Sequence, residues 1–174
     1  TVVTAVEIAA TDLTAFVGMN GPYWKDANGD GVFQEDEKNP DATGLALTDV
    51  DLGFVLLLPL SGPVFYALDA KAAGIALVGL EGVLEAQATN LRVEINLSTG
   101  ESGVVDFAGS FPAEAIDTDG DGKIDPAGYE VRTGTTADSI YIVFGGDERI
   151  AASADSVLLQ LAGFVHVIGS LSFE

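Results

Sequence analysis

Apolar and polar residues alternate in several short segments of this chain, with a period of two residues. The alternation is clearest in residues 91–97, 139–144 and 164–168, and residues 1–9 show it as well. Because successive side chains of a β-strand point to opposite faces of the sheet, this pattern predicts strands. Glycines between the segments predict turns, and no long segment has helical periodicity. We therefore expect one all-β module over residues 1–174.

A weak internal repeat runs through the chain: a small or polar pair, a residue that tolerates a turn, and then an apolar strand residue. Its five copies are Ala10–Leu13, Asp49–Leu52, Ala72–Ile75, Ala88–Leu91 and Ala154–Val157. Leu13, Leu52 and Leu91 are evenly spaced, because 52 − 13 and 91 − 52 both equal 39. Repeats of this kind predict a stacked, solenoid-like β module with loops between its strands. A two-sheet β-sandwich is the alternative, since all-β domains reuse strand and turn chemistry without true repetition.

Residues 26–37 match the calcium-loop pattern D-x-[DN]-x-[DN]-G-x5-E at every fixed position. Calcium takes six to eight oxygen ligands, and a loop with this spacing wraps them around one point. Gly31 allows the sharp turn, and Val32 supplies its backbone carbonyl. The side-chain ligands that the pattern predicts are Asp26, Asn28, Asp30, Gln34 and Glu37. Gly21-Pro22 before the loop and Asn39-Pro40 after it leave no room for flanking helices, so we expect a structural staple and not a calcium sensor.

A second loop repeats the alternating acids and the glycine in residues 117–125. Position twelve is Gly128, so the bidentate glutamate of the first loop is missing. Asp125 at position nine is the expected substitute, with Glu130 as a weaker candidate. The predicted ligands are Asp117, Asp119, Asp121, Lys123 at the backbone-carbonyl position, and Asp125. Two such loops in one chain favour Ca²⁺ as the bound ion over a solvated acidic turn. Asp49 and Asp51 are more typical of a solvated turn at a strand start than of the first calcium shell.

Charge and hydropathy point in opposite directions. The chain has 27 acidic and 7 basic residues, a formal net charge of −20, and a mean hydropathy of +0.34. An apolar interior and an acidic exterior must therefore be sharply separated. Nucleic acids and anionic membrane surfaces are disfavoured partners, because both require a basic face. The uncharged segment between Asp51 and Asp69 is broken by glycine and proline, and it predicts strand, turn and strand without membrane insertion.

Cellular location follows from the calcium loops more than from composition. The chain has no cysteine, which excludes disulfide and thiolate chemistry and is compatible with any compartment. Loops of this type suit the millimolar calcium outside cells, so we expect a secreted or cell-surface protein. The chain opens at Thr1 without Met or a signal peptide, which is typical of a processed product or of one part of a longer polypeptide.

Catalytic patterns are absent from the sequence. The one histidine, His166, lies in an alternating apolar strand and is expected to be an outward polar position. No G-x-S-x-G elbow, zinc motif or nucleotide loop accompanies it. Trp24 beside Tyr23 is expected to pack over the first calcium loop. We expect no enzymatic activity, although paired carboxylates for glycoside hydrolysis remain open among so many acids.

Both ends of the chain are strand-like, over residues 1–9 and 165–174. Such strands either close the sheet of the domain itself or join the next copy, covalently or by strand addition. The residues that the chain shares with a known class of protein are 16–23, the loop after them, 65–68, 78–83 and 164–173. Through these residues it resembles one repeat unit of giant secreted bacterial tandem-repeat surface proteins, such as RTX-type adhesins and fibre-forming matrix proteins. It differs from the RTX nonapeptide array in having no tandem G-G-x-G-x-D run.

That resemblance implies a structural role in which calcium stiffens modules that extend a filament or stalk. We therefore expect a non-enzymatic module of an extracellular fibre or adhesin, whose partners are copies of itself. The alternative is a calcium-dependent carbohydrate- or protein-binding module that recognises surface glycans through Trp24. A secreted hydrolase that uses scattered carboxylates is a third and weaker hypothesis.

Overall fold

The computed structural model describes residues 2–101, 103–116, 124–134 and 139–174, with the exception of the Glu35 side chain. Strands account for most of these residues, which confirms the all-β class. The elements are β1 (Val3–Met19), a 3-10 turn (Glu35–Glu37), β2 (Thr43–Pro59), β3 (Phe65–Val78), β4 (Leu84–Ser98), α1 (Phe107–Ser110), β5 (Tyr129–Arg132), β6 (Ser139–Ile142), β7 (Arg149–Leu161) and β8 (Val165–Phe173).

Six strands form one antiparallel sheet in the order β1-β2-β3-β4-β7-β8, and β5 pairs only with β6. The strand, turn and strand predicted for residues 51–69 are present as the end of β2, a bend, and the start of β3. No helix in the described part of the chain is long and apolar enough to cross a membrane.

Neighbouring strands pair side by side, whereas a solenoid would require stacked coils. The first and last strands, β1 and β8, form opposite edges of the sheet and do not pair with each other. Both strand-like chain ends therefore pair within the module's own sheet as its outer strands, and they do not close that sheet on itself. One open sheet results, with the β5–β6 hairpin as a small second layer.

A row of irregularities crosses the middle of the sheet, and the five copies of the repeat form it. The register shifts between Ala10 and Leu13 on β1, and again between Ala154 and Val157 on β7. Asp12, Asp49 and Asn90 adopt left-handed backbone conformations there, with φ of 55°, 49° and 51°. Short polar side chains tolerate this conformation better than other non-glycine residues do. We call this line of positions the bulge row.

The bulge row corrects the alignment of the repeat. Asp49 is the left-handed residue of β2, so Val50 is the counterpart of Leu13 and Leu91, and Leu52 is not. Across the bulge row the alternation of faces shifts by one residue: Ala46 and Val55 of β2 are an odd number of residues apart, yet both are buried. Apolar residues on both sides of the bulge row therefore stay on the same face of the sheet. The even spacing of 39 residues does not mark equivalent positions.

One face of the sheet, the covered face, carries the described core. Val55 and Ala67 lie on neighbouring strands and are inaccessible to solvent. They belong to a buried cluster whose other members are Phe107, Val131, Ile142 and Phe144. Gly53 makes this packing possible, because a Cβ atom at this position would lie 2.7 Å from Cγ2 of Ile140. The β5–β6 hairpin and α1 thus cover one half of this face.

Part of the chain segment between β1 and β2 lies over the other half of the covered face. Tyr23, Trp24 and Lys38 border a cavity of about 220 Å³ against this part of the sheet. Its lining includes Ala46, Gly74 and other small residues of β2, β3 and β4. The opposite face of the sheet, which we call the open face, has no such layer among the described residues.

Candidate metal centre

The first predicted calcium loop is closed at its base by a short antiparallel contact. Trp24 and Lys38 form an isolated β-bridge on either side of it. The backbone N–H of Asn39 donates to the carbonyl of Tyr23 at 2.7 Å. Tyr23 and Trp24 pack edge to face, with ring centroids 4.9 Å apart. Trp24 therefore belongs to the neck of the loop and is half-buried there.

Asn39 secures this neck from inside the protein. Its side chain is buried, and Nδ2 donates to the carbonyls of Asn20 at 2.6 Å and Pro22 at 3.0 Å. Its Oδ1 accepts from the backbone N–H of Asp41 at 3.2 Å. The two bonds that Nδ2 donates join the chain segment before the loop to the segment after it, and the third lies within the later segment. A buried polar side chain with partners on both segments fixes the distance between the two ends of the loop.

The acidic side chains of the loop turn toward its own backbone. Asp26 accepts from the N–H groups of Gly29 at 2.7 Å, Asp30 at 3.1 Å and Gly31 at 2.9 Å. Asn28 Oδ1 accepts from the N–H of Asp30 at 2.8 Å, and Asp30 Oδ1 accepts from that of Val32 at 2.8 Å. These bonds wind the first half of the loop around Asp26.

Glu37 closes the loop from its far end. Its Oε1 accepts from the N–H groups of Ala27 at 3.1 Å and Asn28 at 3.3 Å, and its Oε2 from that of Gln34 at 3.2 Å. Gln34 Nε2 in turn donates to Asp30 Oδ2 at 3.0 Å. Positions one and twelve of the pattern, which are eleven residues apart in sequence, therefore lie against the same short stretch of backbone.

The donor chemistry of this loop fits a calcium ion. Carboxylate, amide and carbonyl oxygens are the ligands that this hard cation takes, and they occur here in the order the pattern requires. Gly31 has φ of 79° with open space around it, as the sharp turn of such a loop demands. The convergence of these oxygens on one point is not shown: no group of three or more acidic or histidine side chains in the described residues is close enough to hold a metal ion. Calcium at this loop remains a prediction.

Most of the second predicted loop, residues 117–123, lies outside the described residues, and with it Asp117, Asp119, Asp121 and Lys123. Asp125 is described, and its Oδ1 accepts from the hydroxyl of Tyr141 at 2.6 Å. Glu130 accepts from Ser139 Oγ at 2.6 Å and from Nε of Arg132 at 3.2 Å. Asp125 and Glu130, the two candidates to replace the missing glutamate, thus both form hydrogen bonds with side chains of the β5–β6 hairpin.

The covered face also carries a network of ion pairs that the sequence analysis did not identify. Arg92 forms two hydrogen bonds with Asp69, Nε to Oδ1 at 3.2 Å and a terminal nitrogen to Oδ2 at 2.9 Å. Glu94 accepts from Arg149 at 2.7 Å and pairs with Arg92 at 3.0 Å. The hydrogen bond to Asp69 and the neighbouring carboxylates raise the pKa of Arg92. One sequence signal pointed to this network: the alternation of residues 91–97 places Arg92 and Glu94 on the same face of a strand.

Polar side chains of the bulge row line a shallow groove of about 440 Å³ on the same face. Asn90 Nδ2 donates to Asp155 at 2.8 Å, and Asp51 accepts from the N–H of Asp12 at 3.1 Å. Asp49 and Asp51 lie near the middle of β2, which is a strand of 17 residues. The expectation of a solvated turn at a strand start is wrong in placing a strand boundary there, because the left-handed residue interrupts β2 without ending it.

Two other polar side chains are His166 on β8 and Tyr129 on β5. His166 is exposed, as expected of an outward polar position, and so are the other eight residues of β8. The hydroxyl of Tyr129 donates to Oε1 of Glu7, so the β5–β6 hairpin is tied to the edge strand β1. Burial and this hydrogen bond raise the pKa of Tyr129 to about 12.

Comparison with known proteins identifies no relative. The chain matches no protein-family model, no curated protein and no solved structure.

Proposed function

We propose that this chain is a structural module of an extracellular, calcium-stabilised fibre or adhesin that assembles end to end with copies of itself. The observation that carries the proposal is the open sheet with two long, unpaired edges. β1 spans 17 residues and β8 spans nine, and each has one side without a neighbouring strand in the described protein. An edge of this kind is a template for another strand, and proteins that stay monomeric block such edges with charges, proline or short strands.

The edges suit each other in direction. The sheet has six strands, and each runs antiparallel to its neighbours. Because six is an even number, the last strand, β8, runs antiparallel to the first, β1. β8 of one copy beside β1 of the next continues the same antiparallel alternation without inverting either copy. The bulge rows of the two copies then join into one line. Repetition of this step gives one continuous sheet whose strands lie across the filament axis.

In this proposal, calcium staples the chain segment that leaves the sheet between β1 and β2. The 26–37 loop lies between β1 and β2, and its neck connects the edge strand to the interior of the module. An ion held by Asp26, Asn28, Asp30, Val32, Gln34 and Glu37 would neutralise part of the charge of −20 and stabilise the folded chain by mass action. Millimolar extracellular calcium suits a loop of this type, which supports a secreted location.

A carbohydrate-binding module is the second candidate, and one observation favours it. Trp24 and Tyr23 border a cavity whose lining also offers polar groups from Thr48, Gln87 and Thr89. Aromatic rings beside hydroxyl and amide groups are typical of small-molecule sites. Glycan-array binding that disappears in Trp24→Ala but survives in Trp24→Phe would favour this function.

The test of the proposed function measures calcium and assembly in one set of proteins. In calcium, we expect filaments by electron microscopy and a thermal midpoint that falls on addition of EGTA. Glu37→Gln should abolish the calcium-dependent shift, whereas Asp36→Asn, in the same loop, should retain it. Ile168→Lys on β8 should shorten or abolish filaments, and Leu60→Lys in the β2–β3 turn is the matched control. Unchanged stability in EGTA would exclude the staple, and the absence of filaments in calcium would exclude end-to-end assembly.

A further inference from the structure

The open face of the sheet is apolar across all six strands. Because Val55 and Ala67 point into the core, the residues next to them in each strand point to the opposite face. The registers align these residues in rows: Val6–Leu56–Tyr66–Leu97, Ile8–Phe54–Leu68–Ile95–Ile150 and Ala10–Leu52–Ala70–Val93–Ala152–Phe173. Beyond the bulge row the pattern continues, with Ala15–Leu47–Ile75–Ala88–Val157–Gly169 and with Leu159–Val167 and Leu161–Val165.

Outside the bulge row, the charged residues of the sheet all lie on the covered face. The charged strand residues that the structure describes, among them Glu7, Asp69 and Arg92, belong to the covered face or to the bulge row. The rows of the open face contain no charged side chain, and their large apolar side chains remain accessible: Ile8 is 55% exposed, Ile150 54% and Phe173 62%. Apolar rows that extend on both sides of the bulge row form a surface large enough to mark an interface.

We propose that the open face packs against the open face of a second copy of this chain, which forms a two-sheet sandwich across a twofold axis. Sheets that pack face to face lie about 10 Å apart, with the inner side chains of both filling the space between them. A twofold interface uses the same surface on both partners, so an apolar face with no charge meets an identical one without burying an ion.

The area of the face meets the requirement of a stable dimer. Six strands about 4.8 Å apart span roughly 29 Å, and the twelve residues from Val6 to Val17 span roughly 40 Å, so the face covers roughly 1,100 Å². A standard stable interface buries about 800 Å² on each partner, and permanent homodimers bury more. The described core cluster of six buried residues is small for a sheet of this size, and the second copy would supply the missing half.

Charge selects a second copy over a lipid surface. A net charge of −20 repels anionic membranes, and the open face offers one tyrosine, Tyr66, and no tryptophan as an interfacial anchor. In the sandwich, the charged faces of the two copies point away from each other. Their separation of roughly 20 Å exceeds the Debye length of about 8 Å at physiological salt, so their repulsion is screened.

This inference is independent of the proposed function, because it requires neither calcium nor the sheet edges. Sedimentation equilibrium of the whole chain in calcium measures the mass, and variants on the inner strand β7 avoid the edges. Ile150→Lys and Leu159→Lys, both on the open face, should weaken dimerisation at least about 100-fold while the β-sheet circular dichroism is retained. Ser153→Lys, on the same strand but on the covered face, should leave the dimer unchanged.

A second measurement does not depend on the folding of a lysine variant. Because the chain has no cysteine, Val93→Cys places a single thiol on the open face and Ser153→Cys places one on the other face. Thiol labelling at Val93→Cys should slow as protein concentration rises, and labelling at Ser153→Cys should not. A monomer at every concentration, with a reactive thiol at Val93→Cys, overturns the proposal.

Two further outcomes also contradict it. Binding to phosphatidylcholine vesicles that Ile150→Lys abolishes would identify lipid as the occupant of the face. A dimer that Ile168→Lys abolishes and Ile150→Lys does not would be an edge-to-edge dimer. Loss of filaments in Ile168→Lys with the dimer intact would instead separate the two proposals and support the face-to-face pairing.

Discussion

Tyr129 at the start of β5 donates its hydroxyl hydrogen bond to Glu7 on the edge strand β1, and this contact joins the small second layer to the margin of the sheet. The pairing crosses 122 residues of sequence. The environment of the Tyr129 hydroxyl favours its protonated form. Burial and the hydrogen bond to Glu7 raise the pKa of Tyr129 to about 12 from a usual value of 10.0.

This shift predicts a loss of stability at alkaline pH. Because the pKa of Tyr129 is higher in the folded state than in the unfolded state, Tyr129 adds to the free energy of unfolding. This contribution is complete below pH 10 and is lost as the pH rises through about 12. Unfolding by denaturant at pH 9 and pH 11.5 should show a drop that Tyr129→Phe reduces. Tyr129→Phe should itself cost about 1 kcal/mol at pH 7. Tyr23→Phe is the control, and an equal alkaline drop in wild type and Tyr129→Phe would contradict the assignment.

Asn39 is predicted to couple stability to the first loop. Asn39→Ala removes two donated hydrogen bonds and leaves the carbonyls of Asn20 and Pro22 without that donor, so the free energy of unfolding should fall by about 1–3 kcal/mol. Calcium affinity, measured by titration calorimetry, should weaken because the two ends of the loop are no longer held together. Lys25→Ala, an exposed side chain of the same segment, should change neither quantity appreciably. Full calcium affinity in Asn39→Ala would show that the neck does not organise the loop.

Asp49 tests the backbone of the bulge row. Its φ of 49° is accessible to glycine at no steric cost but is strained for a β-branched residue. Asp49→Gly should stay within about 0.5 kcal/mol of the wild-type free energy of unfolding, whereas Asp49→Val should cost about 1–2 kcal/mol. Chemical denaturation of both variants gives the comparison. Equal stability of the two would mean that β2 is regular at this position.

Gly53 tests the packing of the hairpin on the sheet. A methyl group at Gly53 would lie 2.7 Å from Cγ2 of Ile140, so Gly53→Ala should destabilise the protein by about 1–3 kcal/mol. Gly145→Ala is the matched control, because no atom lies within 4 Å of a Cβ there. In a double-mutant cycle, Ile140→Ala should recover part of the loss from Gly53→Ala. Strict additivity of the two changes would show that the hairpin does not contact the sheet at this point.

Alternation predicted the strands well and their partners not at all. The segment 91–97 lies inside β4 and 164–168 overlaps β8, because the period of side-chain exposure is a local property of a strand. The repeat was visible as well, but its alignment on Leu52 was wrong, since only the backbone conformation identifies Asp49 as the bulge residue. The ion pair of Arg92 with Asp69 depends on the register of β3 with β4, which no local pattern determines.

The sequence by itself determined the β-strands, the opposition between an apolar and an acidic set of residues, and the spacing of Asp26 to Glu37, because each depends on neighbours within a few positions. Tertiary structure alone decided that β1 and β8 lie at opposite edges, that the bulges line up across the sheet, and that charges and apolar side chains separate onto its two faces. The physical reason is that strand pairing joins residues distant in sequence, and a shift of one residue in register would exchange the two faces.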